Sequence, residues 1–120
     1  MDDDKRKSAR ILIVEDEPMI ALFVEEALFD SGFDIAGVAG TLGEALALIE
    51  LGGFDAAILD ARLNGVDATP VAAALTARGL PFIVTSGYSS GQRPEFFGAA
   101  PYLQKPYRPE RLVEALKDIL

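Results

Sequence analysis

A chain of 120 residues, half of them hydrophobic and a quarter charged, has the size and mixture of one globular domain rather than a fibrous or disordered polymer. It has no cysteine and no histidine, which excludes disulfides, thiolate metal sites and the commonest general base, and leaves any chemistry to carboxylates, lysine, hydroxyls and backbone. The formal charge is −8, and the first ten residues hold four of the eleven bases but only three of the nineteen acids, so residues 11–120 carry −9. That sign argues against wrapping a phosphate backbone and suits a small cation or a basic protein face.

The opening "MDDDKRKSAR" is charged and lacks an apolar segment, so it reads as neither signal peptide nor lipid anchor, and residues 1–8 are expected to be a disordered tail. No uninterrupted apolar run reaches the roughly 18 residues of a membrane span, and a cytoplasmic protein is the expectation. "RILIV" (10–14) is a continuous branched run, as for a strand covered on both faces. Pro18 then stands where a first helical turn tolerates it, and "MIALFVEEALFDSG" places Ile20, Phe23, Val24, Ala27 and Leu28 at helical spacing, with Gly32 as a stop. "FDIAGVA" (33–39) is a weaker strand. Thr41 and Glu44 form a capping box ahead of "ALALIEL", which Gly52-Gly53 ends.

"FDAAILD" (54–60) is a third strand, Thr69-Pro70 opens a helix through Ala77, and "PFIVTS" (81–86) and "YLQ" (102–104) are further strands. Pro109 begins a final helix with Leu112, Val113, Leu116 and Leu120 on one side. Between the last two strands, "GYSSGQRPEFFGAAP" has three glycines and two prolines, so the helix expected there, the fourth of five, is short and irregular. Alternating strands and helices predict an α/β domain: a flavodoxin-like, doubly wound, five-stranded parallel sheet of order 2-1-3-4-5 with helices on both faces.

In that fold the functional edge is the carboxyl end of the strands. The first strand ends on Glu15 and Asp16, the third on Asp60, the fourth on Thr85-Ser86-Gly87 and the fifth on Lys105-Pro106. Each alone has an ordinary explanation: a first solvated acid, a helix-start charge, a turn, a loop entry. Together they form a set. Three crowded carboxylates hold their protons unless a cation neutralises them, and hard oxygen donors without histidine or cysteine select Mg²⁺, with Mn²⁺ as a substitute. A carboxylate nucleophile, a metal, an ammonium and a hydroxyl donor are what phosphoryl transfer requires.

"ILIVEDEP", "AAILDARLNG", "PFIVTSGY" and "YLQKPY", in this order and spacing, resemble the receiver domain of two-component response regulators over about residues 9–120. The resemblance implies a phosphoacceptor module of a His-Asp phosphorelay that catalyses its own modification without an external turnover substrate. Asp60 is then the acceptor. Asp16 binds Mg²⁺ directly, Glu15 largely through water, and the backbone carbonyl of Arg62 is a further ligand. Ser86 is the switch hydroxyl, preferred over Thr85 because Gly87 follows it. Lys105 is the phosphate counter-charge, its bond to Pro106 carrying the family's cis peptide, and Tyr102 is the switch aromatic. Glu15 stands where the family more often has aspartate. "PFIVTSGY" is also similar to the variant receivers with a Phe-Ala-Thr-Gly-x-Tyr-like motif, many of them single-domain regulators of alphaproteobacterial stress signalling, though it departs from that motif at several positions.

The implied partners are a sensor histidine kinase or histidine phosphotransfer protein and a downstream protein, with no nucleic acid or membrane. A homodimer through the fourth and fifth helices is a further expectation. A complete chain of this length acts by protein contact or by competing for phosphoryl groups, whereas in an excised piece an effector domain follows. Two other classes remain open: a Mg²⁺-dependent phosphohydrolase, which would want an acid where Arg62 stands, and a module that binds its partner regardless of phosphorylation.

Overall fold

The computed structural model describes residues 9–87, 98 and 100–120. The expected tail over 1–8 and most of the irregular helix expected over 88–100 lie outside these residues, and with that helix part of the expected dimer face. The described elements are β1 (Arg10–Val14), α1 (Pro18–Asp30), β2 (Asp34–Ala39), α2 (Leu42–Leu51), β3 (Ala56–Asp60), the short β4 (Arg62–Leu63) and β5 (Val66–Asp67), α3 (Thr69–Ala77), β6 (Phe82–Ser86), β7 (Tyr102–Gln104) and α4 (Pro109–Ile119). Five strands form one sheet of order β2-β1-β3-β6-β7, every adjacent pair parallel. Apart from the separate antiparallel hairpin β4–β5, this is the order read from the sequence.

The sheet is buried on both faces, and the period-two alternation of its strands sorts the core into two layers. Leu12 and Val14 of β1, Ala57 and Leu59 of β3 and Val84 of β6 pack with Ala45 and Ile49 of α2 and Val71, Ala72 and Leu75 of α3. Ile11 and Ile13, Ala56 and Ile58, and Ile83 point the other way, onto Val24 and Leu28 of α1 and Leu112 and Leu116 of α4. This explains why "RILIV" carries no polar alternation: both of its faces are inside. β1 lies between β2 and β3, so the chain leaves it in opposite directions and opens a crevice at the strands' carboxyl ends.

Helix ends follow local chemistry. Pro18 and Pro109 open α1 and α4. Gly32 and Gly79 take positive φ just past α1 and α3, letting the N–H groups of Phe33 and Leu80 reach back to the carbonyls of Leu28 and Leu75 at 3.0 Å. Thr41 caps α2 by accepting the N–H of Glu44 at 3.1 Å, while the Glu44 carboxylate takes the N–H of Gly40, one residue before the cap.

Three strands start later than the hydrophobic runs suggest, each for a visible reason. Phe33 is spent closing α1. Asp55 is tied to Arg10 by its side chain, which takes the Arg10 N–H at 2.8 Å, and by its own N–H to the Arg10 carbonyl at 2.7 Å, and the regular ladder runs from Ala56. Pro81 has no N–H to give, although its carbonyl accepts from Ala57 at 3.1 Å. The hairpin was not anticipated at all, although its turn is Asn64-Gly65, the strongest short hairpin signal. Its strands are only two residues long, too short for any alternation to show.

Leu112 is fully buried beneath the sheet, whereas Leu51 at the end of α2 is 81% exposed. Leu112→Ala should therefore cost about 2–5 kcal/mol in urea unfolding, and Leu51→Ala should stay within about 0.5 kcal/mol of the parent.

Candidate functional site

Glu15 follows β1, and its N–H still pairs with the carbonyl of Ala39 at 2.9 Å, so the ladder fixes its backbone. Asp60 is the last residue of β3 and pairs in register with Thr85 of β6. Because β1 and β3 are neighbours, both chain ends arrive at the same edge, and carboxylate oxygens of Glu15, Asp16 and Asp60 lie within 4.8 Å of one another. Glu15 and Asp60 are buried and Asp16 is half-buried.

Lys105 enters from the far side of the sheet. Its N–H donates to the carbonyl of Ser86 at 2.7 Å, extending the β6–β7 ladder by one residue, and the bond to Pro106 is cis. Its Nζ donates to Glu15 Oε1 at 3.0 Å and to Asp60 Oδ2 at 2.9 Å. The remaining oxygens are oriented by backbone. Glu15 Oε2 accepts the N–H of Glu17 at 3.1 Å, Asp60 Oδ1 that of Arg62 at 3.2 Å, and Asp16 Oδ2 that of Asn64 at 2.9 Å.

One ammonium among three carboxylates leaves the cluster negative. Burial, and then the neighbouring Asp60 charge, push Glu15 from 4.5 up to about 7, against the opposing pull of the Glu17 N–H and Lys105. Burial draws Lys105 down, but its bonds to Asp60 and then Glu15 outweigh this and raise it. The donors are hard oxygens, in a chain with no histidine or cysteine, and they suit a small divalent cation.

Glu15, Asp16, Asp60 and Lys105 are thus brought together, and the Arg62 backbone joins them through its N–H. Thr85 and Ser86 are buried at the end of β6, and Tyr102 is half-buried on β7 opposite Val84. Asn64 escaped the sequence reading because its contact is made by backbone, across 48 positions. Its Asn-Gly turn was the signal available. Beside Lys105 lies an apolar depression of about 490 Å³, lined also by Ile20, Phe23, Pro106 and Tyr107.

The family model for the response regulator receiver domain matches residues 11–117. The chain belongs to this family. As a receiver it is a phosphoacceptor signalling module of the two-component type. The solution structure of SdrG from Sphingomonas melonis Fr1 is similar at 42% identity and TM-score 0.82, covering 94% of this chain and 97% of that one. TrrA from Thermotoga maritima, solved in complex with Mg²⁺-BeF, matches at 30% identity and TM-score 0.82, covering 93% of this chain and 99% of that one. The transcriptional regulatory protein PdtaR of Mycobacterium tuberculosis is 32% identical over 120 residues, which are 97% of this chain but 58% of PdtaR. The receiver thus spans little more than half of this curated relative. Among the described residues no helix is long and apolar enough to cross a membrane.

The raised Glu15 has a stability consequence with a definite sign. An acid whose folded value lies above its unfolded one contributes stability that is complete below 4.5 and lost as pH rises toward about 7. In metal-free buffer, Glu15→Gln should therefore gain stability relative to the parent between those pH values. Paired urea titrations at pH 4.5 and 7.5 check this; a parent-to-variant difference that does not change with pH contradicts it.

Proposed function

We propose that Asp60 accepts the phosphoryl group and that Lys105 is the charge that accompanies it. The observation carrying this reading is the Lys105 ammonium, hydrogen-bonded to both Glu15 and Asp60 at the carboxyl edge of the sheet. Asp16 and Asp60, with the carbonyl of Arg62 and with Glu15 acting through water, would hold a Mg²⁺ ion, for which Mn²⁺ can substitute. When bound, that ion supplies the positive charge that three carboxylates and the incoming phosphoryl oxygens lack. The Mg²⁺-BeF complex of TrrA supports the choice of metal.

A carboxylate oxygen of Asp60 attacks phosphorus, the P–N bond of the partner's phosphohistidine breaks, and its electron pair returns to the imidazole. The Arg62 N–H keeps the carboxylate turned for this attack, and Lys105 meets the charge arriving on the phosphoryl oxygens. The donor docks over the depression lined by Ile20, Phe23, Pro106 and Tyr107, which adjoins Lys105. Ser86 then turns its hydroxyl to a phosphoryl oxygen, with Tyr102 following, and the gain of about one to two negative charges biases a protein-binding surface. Residues 9–120 form this receiver, acting on itself without an external turnover substrate. Its net charge of −8 favours a protein partner over nucleic acid as the direct reader of this domain, whether that partner is a separate protein or an effector in the same chain.

The test is labelling with acetyl phosphate and Mg²⁺, followed by intact-mass measurement. The parent should gain one phosphoryl group and Asp60→Asn none, while Lys105→Met should label at least about tenfold more slowly. An Asp60→Asn protein that labels like the parent would falsify the acceptor assignment.

A further inference from the structure

The turn that joins β4 to β5 runs through Asn64 at φ 53° and Gly65 at φ 78°. Two of the hairpin's N–H groups, two residues apart, serve the carboxylate cluster: Arg62 donates to Asp60 at 3.2 Å and Asn64 to Asp16 at 2.9 Å. The turn is also tied on its other side. The Asn64 side-chain Nδ2 donates to the carbonyl of Gly40 at 3.0 Å, and the N–H of Gly40 is held by Glu44 Oε1 at 2.8 Å in the cap of α2. One residue therefore joins the ends of β1, β2 and the hairpin.

We infer that Asn64 is the positioning residue for Asp16, an inference that rests on reading Asp16 as a cation ligand. Asp16 needs such a device more than its neighbours do. It is half-buried, whereas Glu15 and Asp60 are buried and ion-paired to Lys105. A partly exposed carboxylate samples several rotamers, and fixing it before a ligand arrives removes that ordering from the cost of binding. The Asn64 N–H fixes Oδ2. The donor belongs to the backbone, yet the identity of residue 64 governs it, because the two-residue turn that holds this N–H against Asp16 keeps its shape while Asn64 and Gly65 sit at positive φ. Glycine and asparagine adopt that conformation readily, and β-branched residues do not. The amide bond to Gly40 supplies the second restraint, holding the whole turn against the end of β2.

These two restraints separate by substitution. Asn64→Gly keeps the backbone conformation and loses only the bond to Gly40, whereas Asn64→Val opposes the conformation as well. Titration calorimetry with Mg²⁺ alone, at a temperature where thermal melts show every protein folded, should rank parent, Gly and Val in order of weakening affinity. The Gly variant should raise Kd by about twofold to threefold and the Val variant by about fivefold or more. The recovery from Val to Gly is the readout a purely structural role would not give, since glycine packs no better than valine. Asn64→Ala, falling between the two, carries the same comparison if the Val variant does not fold. A Val variant that binds Mg²⁺ within about twofold of a parent that does bind, or a Gly variant weaker than Val, overturns the inference while leaving the cation site standing. A parent without saturable Mg²⁺ binding overturns the cation reading of Asp16 and this inference with it.

Discussion

The ammonium of Lys105 allows two central strands to end on buried acids. Glu15 and Asp60 lie on adjacent strands, at 3.0 and 2.9 Å from the same Nζ, and without that bridge each would be an uncompensated charge in a largely desolvated place. The bridge in turn depends on the sheet. Lys105 reaches the acids because its own N–H continues the β6–β7 ladder onto the carbonyl of Ser86, while Glu15 is held by the carbonyl of Ala39. A shift in the pairing of any central strand would turn an acid or the lysine away from the others.

The bridge is incomplete by design of the charges. One ammonium faces three carboxylates, and the raised titration of Glu15, caused first by burial and then by the Asp60 charge, shows that the ammonium does not fully offset them. The cluster therefore favours further positive charge, and under the proposed reading a phosphoryl group accompanied by a divalent cation would meet an environment already arranged around it.

Much of this was legible in the sequence. The unbroken "RILIV" run reports a strand with two dry faces, and acids, hydroxyls and a lysine at successive strand ends predict the groups that the sheet order gathers at one edge. What could not be read directly was which group touches which. Lys105 meets Glu15 across 90 positions and Asp60 across 45, and no local spacing encodes that. The hairpin after Asp60 escaped because a two-residue strand has no periodicity to detect. Asn64 escaped because backbone does its work. Glu17 orients Glu15 through its N–H, a role its side chain could never have announced.

The sheet also divides the interior into two apolar layers that do not mix, one under α2 and α3 and the other under α1 and α4. Substitutions in one layer should combine almost independently with those in the other, since side chains on opposite faces share few neighbours. Sequence drift can then rework the α1 side, where Phe23 and Ile20 border the depression beside Lys105, without repacking the layer beneath α2 and α3. A lineage of such receivers has in effect two separately editable surfaces on one fixed chemical edge.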